Sequence, residues 1–126
     1  GGAHSGILFF RRPDLFETLI SLSGAFDASM FFGDYMDDLV YNNSPVHFLR
    51  NMPSDHHYLD IYRKKNIIIC IGQGAWEEEL LPSNREMETI LKEKQVPAWI
   101  DFWGYDVAHD WNWWQIQIRY CVEKIL

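Results

Sequence analysis

Apolar positions follow two different periods along this chain, and the changes of period divide it into elements. Ala3 to Arg12 carries apolar residues at helical spacing and stops at Pro13, which cannot continue a helix. Thr18-Leu19-Ile20-Ser21-Leu22-Ser23 reads as a strand closed by Gly24. Residues 25 to 65 lose any regular period and read as a surface excursion. Within it, short helices are predicted over Asp34 to Tyr41 and after Ser44-Pro45, where Ser suits an N-cap and Pro a first helical position. Asn66 to Ile71 is a continuous apolar run between Lys64-Lys65 and Gly72, the pattern of a strand buried on both faces of a parallel sheet.

The second half repeats the alternation. Ser83-Asn84-Arg85-Glu86 has the spacing of a capping box, and Met87, Ile90 and Leu91 supply one apolar face of the helix after it. Val96 to Trp103 predicts the next strand. Asp110 is placed to cap a final helix whose expected core face is Trp111, Trp114, Ile118, Cys121, Val122 and Ile125, with Trp113 free to face outward. Helix, strand, excursion, strand, helix, strand, helix is the order of an open parallel α/β sheet with helices on both sides, a three-layer arrangement in one domain over residues 1–126. Only about three strands are counted, against the usual four to six.

Composition narrows the function classes. The 126 residues are 48% hydrophobic, enough for one globular domain with its own core. A net charge of -7 and a pI near 5.1 argue against nucleic acid as a partner, which requires clustered Lys and Arg. No apolar stretch reaches the ~18 residues of a bilayer span and no signal-peptide pattern opens the chain, so a cytoplasmic protein without membrane contact is expected. Cys70 and Cys121 sit in apolar patterns and read as buried thiols. An aromatic content of 16%, with six Trp, implies large buried or interfacial surfaces and a tendency to associate.

Most candidate chemistry fails on spacing. His56-His57 beside Asp55 lacks a third ligand, and adjacent histidines are expected to point apart. Asp34, Asp37 and Asp38 lack the alternation and central Gly of a calcium loop. Neither a metal nor another cofactor is expected. Ser5, Ser21 and Ser23 are hydroxyls without a strand-turn-helix elbow, and His4 reads as a packed, hydrogen-bonded residue. Asp106 reads as a turn residue.

A set of motifs carries a stronger signal. Gly1-Gly2-Ala3-His4 reads like the end of a G-x-S-x-G elbow. Phe9-Phe10-Arg11-Arg12-Pro13-Asp14-Leu15-Phe16 precedes a Ser-Gly strand end, Asn84-Arg85 lies on the penultimate helix, and His109-Asp110-Trp111 with Trp114 follows the last strand. With these, the chain resembles the esterases of the α/β-hydrolase superfamily, of the esterase-D and enterochelin-esterase kind, over nearly its whole length.

The resemblance implies the C-terminal part of an α/β-hydrolase fold, with the half that carries the nucleophilic serine and much of the oxyanion hole absent. It implies a triad in the order Ser, acid, His. His109 would be the general base, an imidazole that takes the serine proton and returns it to the leaving alcohol. Counting back from Asn84, the acid falls on Glu78. The run Gly72-Gln73-Gly74-Ala75-Trp76-Glu77-Glu78-Glu79 departs from the family's Gly-x-x-Asp spacing, which leaves Glu77 beside it as a second candidate, and a solvated helix start as the plain alternative.

Two functions are thereby expected. One is the acid- and base-bearing portion of a serine carboxylesterase-like hydrolase acting on a small ester or thioester, inactive as the isolated chain. The other is an inactive remnant that associates with itself or with a missing N-terminal half through the edge of the strand at residues 18 to 23.

Overall fold

The computed structural model describes all residues from Gly1 to Leu126. Three strands form one parallel sheet in the order β1 (Thr18–Leu22), β2 (Asn66–Ile71), β3 (Trp99–Phe102). Ile20 pairs with Ile68, and Ile69 with Ile100. The long helices are α1 (Gly2–Arg11) before the sheet, α6 (Leu81–Glu93) between β2 and β3, and α7 (Trp111–Ile125) after it. Four short helices fill the connection from β1 to β2: α2 (Ser29–Phe32), α3 (Asp38–Asn42), α4 (Pro45–Arg50) and α5 (His57–Tyr62).

The continuous apolar run of β2 is explained by its central place. Ile67 and Ile69 face one core with Phe9, Phe10, Leu19, Met87, Ile90 and Leu91, while Ile68 and Cys70 face the other with Cys121. The strand's two-residue period thus feeds two layers at once. Cys70 and Cys121 are free and buried, and burial pushes both thiols above their ordinary pKa.

Several details differ from the sequence expectation. The 25–65 connection is no mere surface excursion: Phe26, Val46, Leu49, Leu59 and Tyr62 are buried in the main core, and the Tyr62 hydroxyl donates to the Phe10 carbonyl. The helical segment expected at Asp34 begins at Asp38, because the Asp37 side chain accepts from Val40 N–H and caps it there. Ser83 and Glu86 form no capping box. Helix α6 starts three residues earlier than a Ser83 cap would place it, at Leu81-Pro82, and the Ser83 hydroxyl instead accepts from Phe26 N–H.

The final helix is capped by Asp110 as its sequence predicts, through Trp113 N–H. Its buried face is narrower than expected. Gln117 and Cys121 are buried, whereas Trp111 is 75% exposed and Ile118 and Ile125 are also exposed. The apolar residues of α7 outnumber the space that a three-stranded sheet offers on that side. No helix is long and apolar enough to cross a membrane.

Candidate active site

The loops that follow β2 and β3 are stitched together, and two glycines permit it. At Gly72 a Cβ would stand 2.2 Å from the Val107 carbonyl oxygen, and at Gly74 one would stand 2.6 Å from that of Tyr105. With no side chains in the way, Gln73 N–H donates to the Gly104 carbonyl at 3.1 Å, Gly74 N–H to Val107 at 2.9 Å, and His109 N–H to Ala75 at 2.9 Å. The chain then reverses through Trp76, whose φ of 66° lies in the left-handed region. That reversal aims Glu77 inward.

Glu77 is completely buried and fully partnered. One oxygen, Oε2, accepts from Gly72 N–H and from the Ser23 hydroxyl, each at 2.9 Å. The other, Oε1, lies 2.6 Å from Nδ1 of His109. A carboxylate accepts only, so Nδ1 is the donating nitrogen, and in a neutral ring Nε2 is then the acceptor. His109 is half-buried, its ring edge-on to Trp114 at 4.6 Å, and it lines an open hollow of about 430 Å³ with Gly1, Ala3, Ser23, Leu80 and Trp111. A buried carboxylate that orients an imidazole opening onto a cleft is an arrangement able to serve as a general base with its orienting acid.

The candidate residues separate clearly. His109 and Glu77 are brought together, while Glu78 is exposed and makes no contact with the imidazole. Counting back from Asn84 therefore misses by one, because Glu77 is the residue that the turn at Trp76 directs inward. The three-glutamate helix start is corrected likewise, since Glu77 precedes α6 and faces the interior. Asp106 is exposed. His4 is exposed rather than packed, and lies beside a second hollow of about 480 Å³ walled by Phe31, Phe32, Tyr35 and Leu39, which shares Ala3 and Ala25 with the first. His56 and His57 stack at 4.8 Å with their planes 14° apart, so they do not point apart.

Ser23 is the participant that the sequence did not disclose. Of the three serines weighed as hydroxyls, Ser5 bonds the Gly1 carbonyl and Ser21 the Gly2 carbonyl, and Ser23 alone reaches Glu77. The visible signal was its position at the end of a strand next to Gly24.

No protein-family model matches the chain, and comparison with curated proteins finds no similar one. Solved structures do resemble it. A ferulic acid esterase superposes with a TM-score of 0.72 at 21% identity, over 96% of this chain and 45% of that one. The S-formylglutathione hydrolase FrmB of Staphylococcus aureus gives 0.62 at 18% identity, over 97% and 49%, and the fluorophosphonate-binding serine hydrolase FphF of the same organism gives 0.63 at 18%, over the same shares. The open three-stranded parallel sheet with flanking helices is a fold shared with these α/β-hydrolase-like enzymes, and the chain spans just under half the length of each.

Proposed function

We propose that this chain is the C-terminal, acid- and base-bearing portion of a serine carboxylesterase-like hydrolase, with the nucleophilic hydroxyl supplied by polypeptide outside these 126 residues. The observation that carries the reading is the contact between buried Glu77 and His109 at the mouth of a hollow that also touches the first turn of α1. In this role His109 Nε2 takes the proton of the attacking hydroxyl and returns it to the leaving group, while Glu77 holds the tautomer and balances the imidazolium. The structural neighbours are an esterase, a thioester hydrolase and a serine hydrolase, which favours carboxylic esters or thioesters as substrates. The adjoining apolar hollow favours an uncharged acyl or alcohol part, since Asp27 and Asp37 border it and disfavour an anion.

The test is fluorophosphonate labelling of the native polypeptide, with its intact mass measured in the same sample. A labelled species near twice 14.9 kDa that loses turnover on His109→Ala supports the proposal. An unlabelled species of that size overturns it.

A second reading, an association module, is favoured by a different observation. Strand β1 forms the sheet edge opposite β3, and Leu8, Leu15 and Phe16 beside it are exposed. Light scattering of the isolated chain tests it: a dimer or larger species supports it, and a monomer at high concentration removes it.

A further inference from the structure

The structure assigns Ser23 a role that neither its neighbours in sequence nor the base-acid pair alone requires: a positioning residue that, clamped by Trp114, holds Glu77 so that His109 presents a free Nε2 to the hollow. This assignment rests on the esterase reading for its catalytic consequence, while its structural content stands on the geometry alone.

Three observations carry it. The Ser23 hydroxyl donates to Glu77 Oε2 at 2.9 Å, and Trp114 Nε1–H donates to the same Ser23 oxygen at 3.0 Å. A hydroxyl has one proton, so an N–H arriving from Trp114 leaves that proton only the carboxylate to address. Donors then run in one direction, Trp114 to Ser23 to Glu77, each bond polarising the next. Second, Ser23 adopts this position at φ 53°, a left-handed conformation in which a non-glycine residue is uncommon. The strained backbone turns the side chain of Ser23, the residue after β1, toward the loops of β2 and β3. Third, the serine is 7% exposed and lies in the wall of the hollow behind His109, with its oxygen engaged on both sides and unavailable as a nucleophile.

The clamp closes on itself. Trp114 also packs against the His109 ring, the centroids 4.6 Å apart and the planes 88° to each other, so the indole that fixes Ser23 through its N–H also packs against the imidazole. Both partners of the 2.6 Å contact are thereby held by one side chain.

Ser23→Gly separates the hydroxyl from the backbone, because glycine accepts the positive φ without strain. A purely structural serine predicts a lower thermal midpoint and an unaltered His109. Positioning predicts, whatever the midpoint, a faster-exchanging, broadened His109 Nδ1–H resonance in nitrogen-edited NMR of the 126-residue chain. Trp114→Phe, which keeps a ring against His109 but removes the donor, is expected to give the same signature.

In a protein that joins the chain to its nucleophile-bearing half, Ser23→Gly should lower kcat about ten- to a hundredfold with KM little changed, as for loss of one hydrogen bond to a charged group. An Nδ1–H signal and exchange rate unchanged in both variants overturns the assignment even if the joined protein is fully active. An altered signal in a joined protein that no fluorophosphonate labels leaves the clamp standing and removes the esterase reading instead.

Discussion

Glu77 Oε1 sits 2.6 Å from His109 Nδ1 although the two residues stand 32 positions apart and belong to different loops. Glu78, one residue on, is exposed. Replacing Glu77 by Ala strands Gly72 N–H and the Ser23 hydroxyl, and should lower the unfolding free energy of the chain by about 1–3 kcal/mol. Glu78→Ala should change it by less than about 0.5 kcal/mol. Denaturant titration of the two variants side by side checks the difference. In the joined hydrolase, Glu77→Gln should reduce kcat by as much as about 10⁴-fold, the scale seen when the orienting carboxylate of a serine triad is amidated.

Gly72→Ala places a methyl group where the Val107 carbonyl already stands. The loops after β2 and β3 must part, which should cost about 1–3 kcal/mol. Because Gly72 N–H also holds Glu77, the same variant should lose the protected His109 Nδ1–H resonance. Loss of stability with that resonance intact would show that the glycine serves packing alone.

Gln117 is buried on α7 with neither amide atom partnered. A buried amide without hydrogen bonds costs about 1–3 kcal/mol in protein mutational series. Gln117→Met, close in volume, should therefore raise the thermal midpoint. A fall would mean that the amide is satisfied by a bound water.

Cys70 and Cys121 should be silent toward thiol reagents in the folded chain. Burial is the largest cause lifting each thiol above its ordinary pKa, so the reactive thiolate is scarce at neutral and mildly alkaline pH alike. Two equivalents should react with a chromogenic disulfide only in denaturant. Reaction of either in the native chain at pH 8 would contradict this packing.

What the sequence disclosed follows from where each signal resides. The Asn66 to Ile71 run, the Pro13 stop and the Asp110 cap are local, and each appears where its own residues place it. Trp111 was assigned to the core by helical spacing, but spacing names a face and not the width of sheet available to cover it. Ser83 and Glu86 matched a capping pattern, yet tertiary contact with Phe26 claimed the serine. The choice between Glu77 and Glu78 depended on the left-handed turn at Trp76, a tryptophan conformation that no residue pattern announces. Ser23 reads in the sequence only as a hydroxyl without an elbow, because its partners, 54 and 91 residues away, are invisible to motif reading.

The backbone bonds joining the loops after β2 and β3 carry a consequence for timing. They tie those loops to each other, and only Ser23 enters the arrangement from β1. The contact between Glu77 and His109 is thus assembled on this side of the sheet. In the proposed hydrolase, a hydroxyl arriving at the mouth of the hollow would meet an imidazole already oriented by its carboxylate, with no rearrangement of these two loops required first.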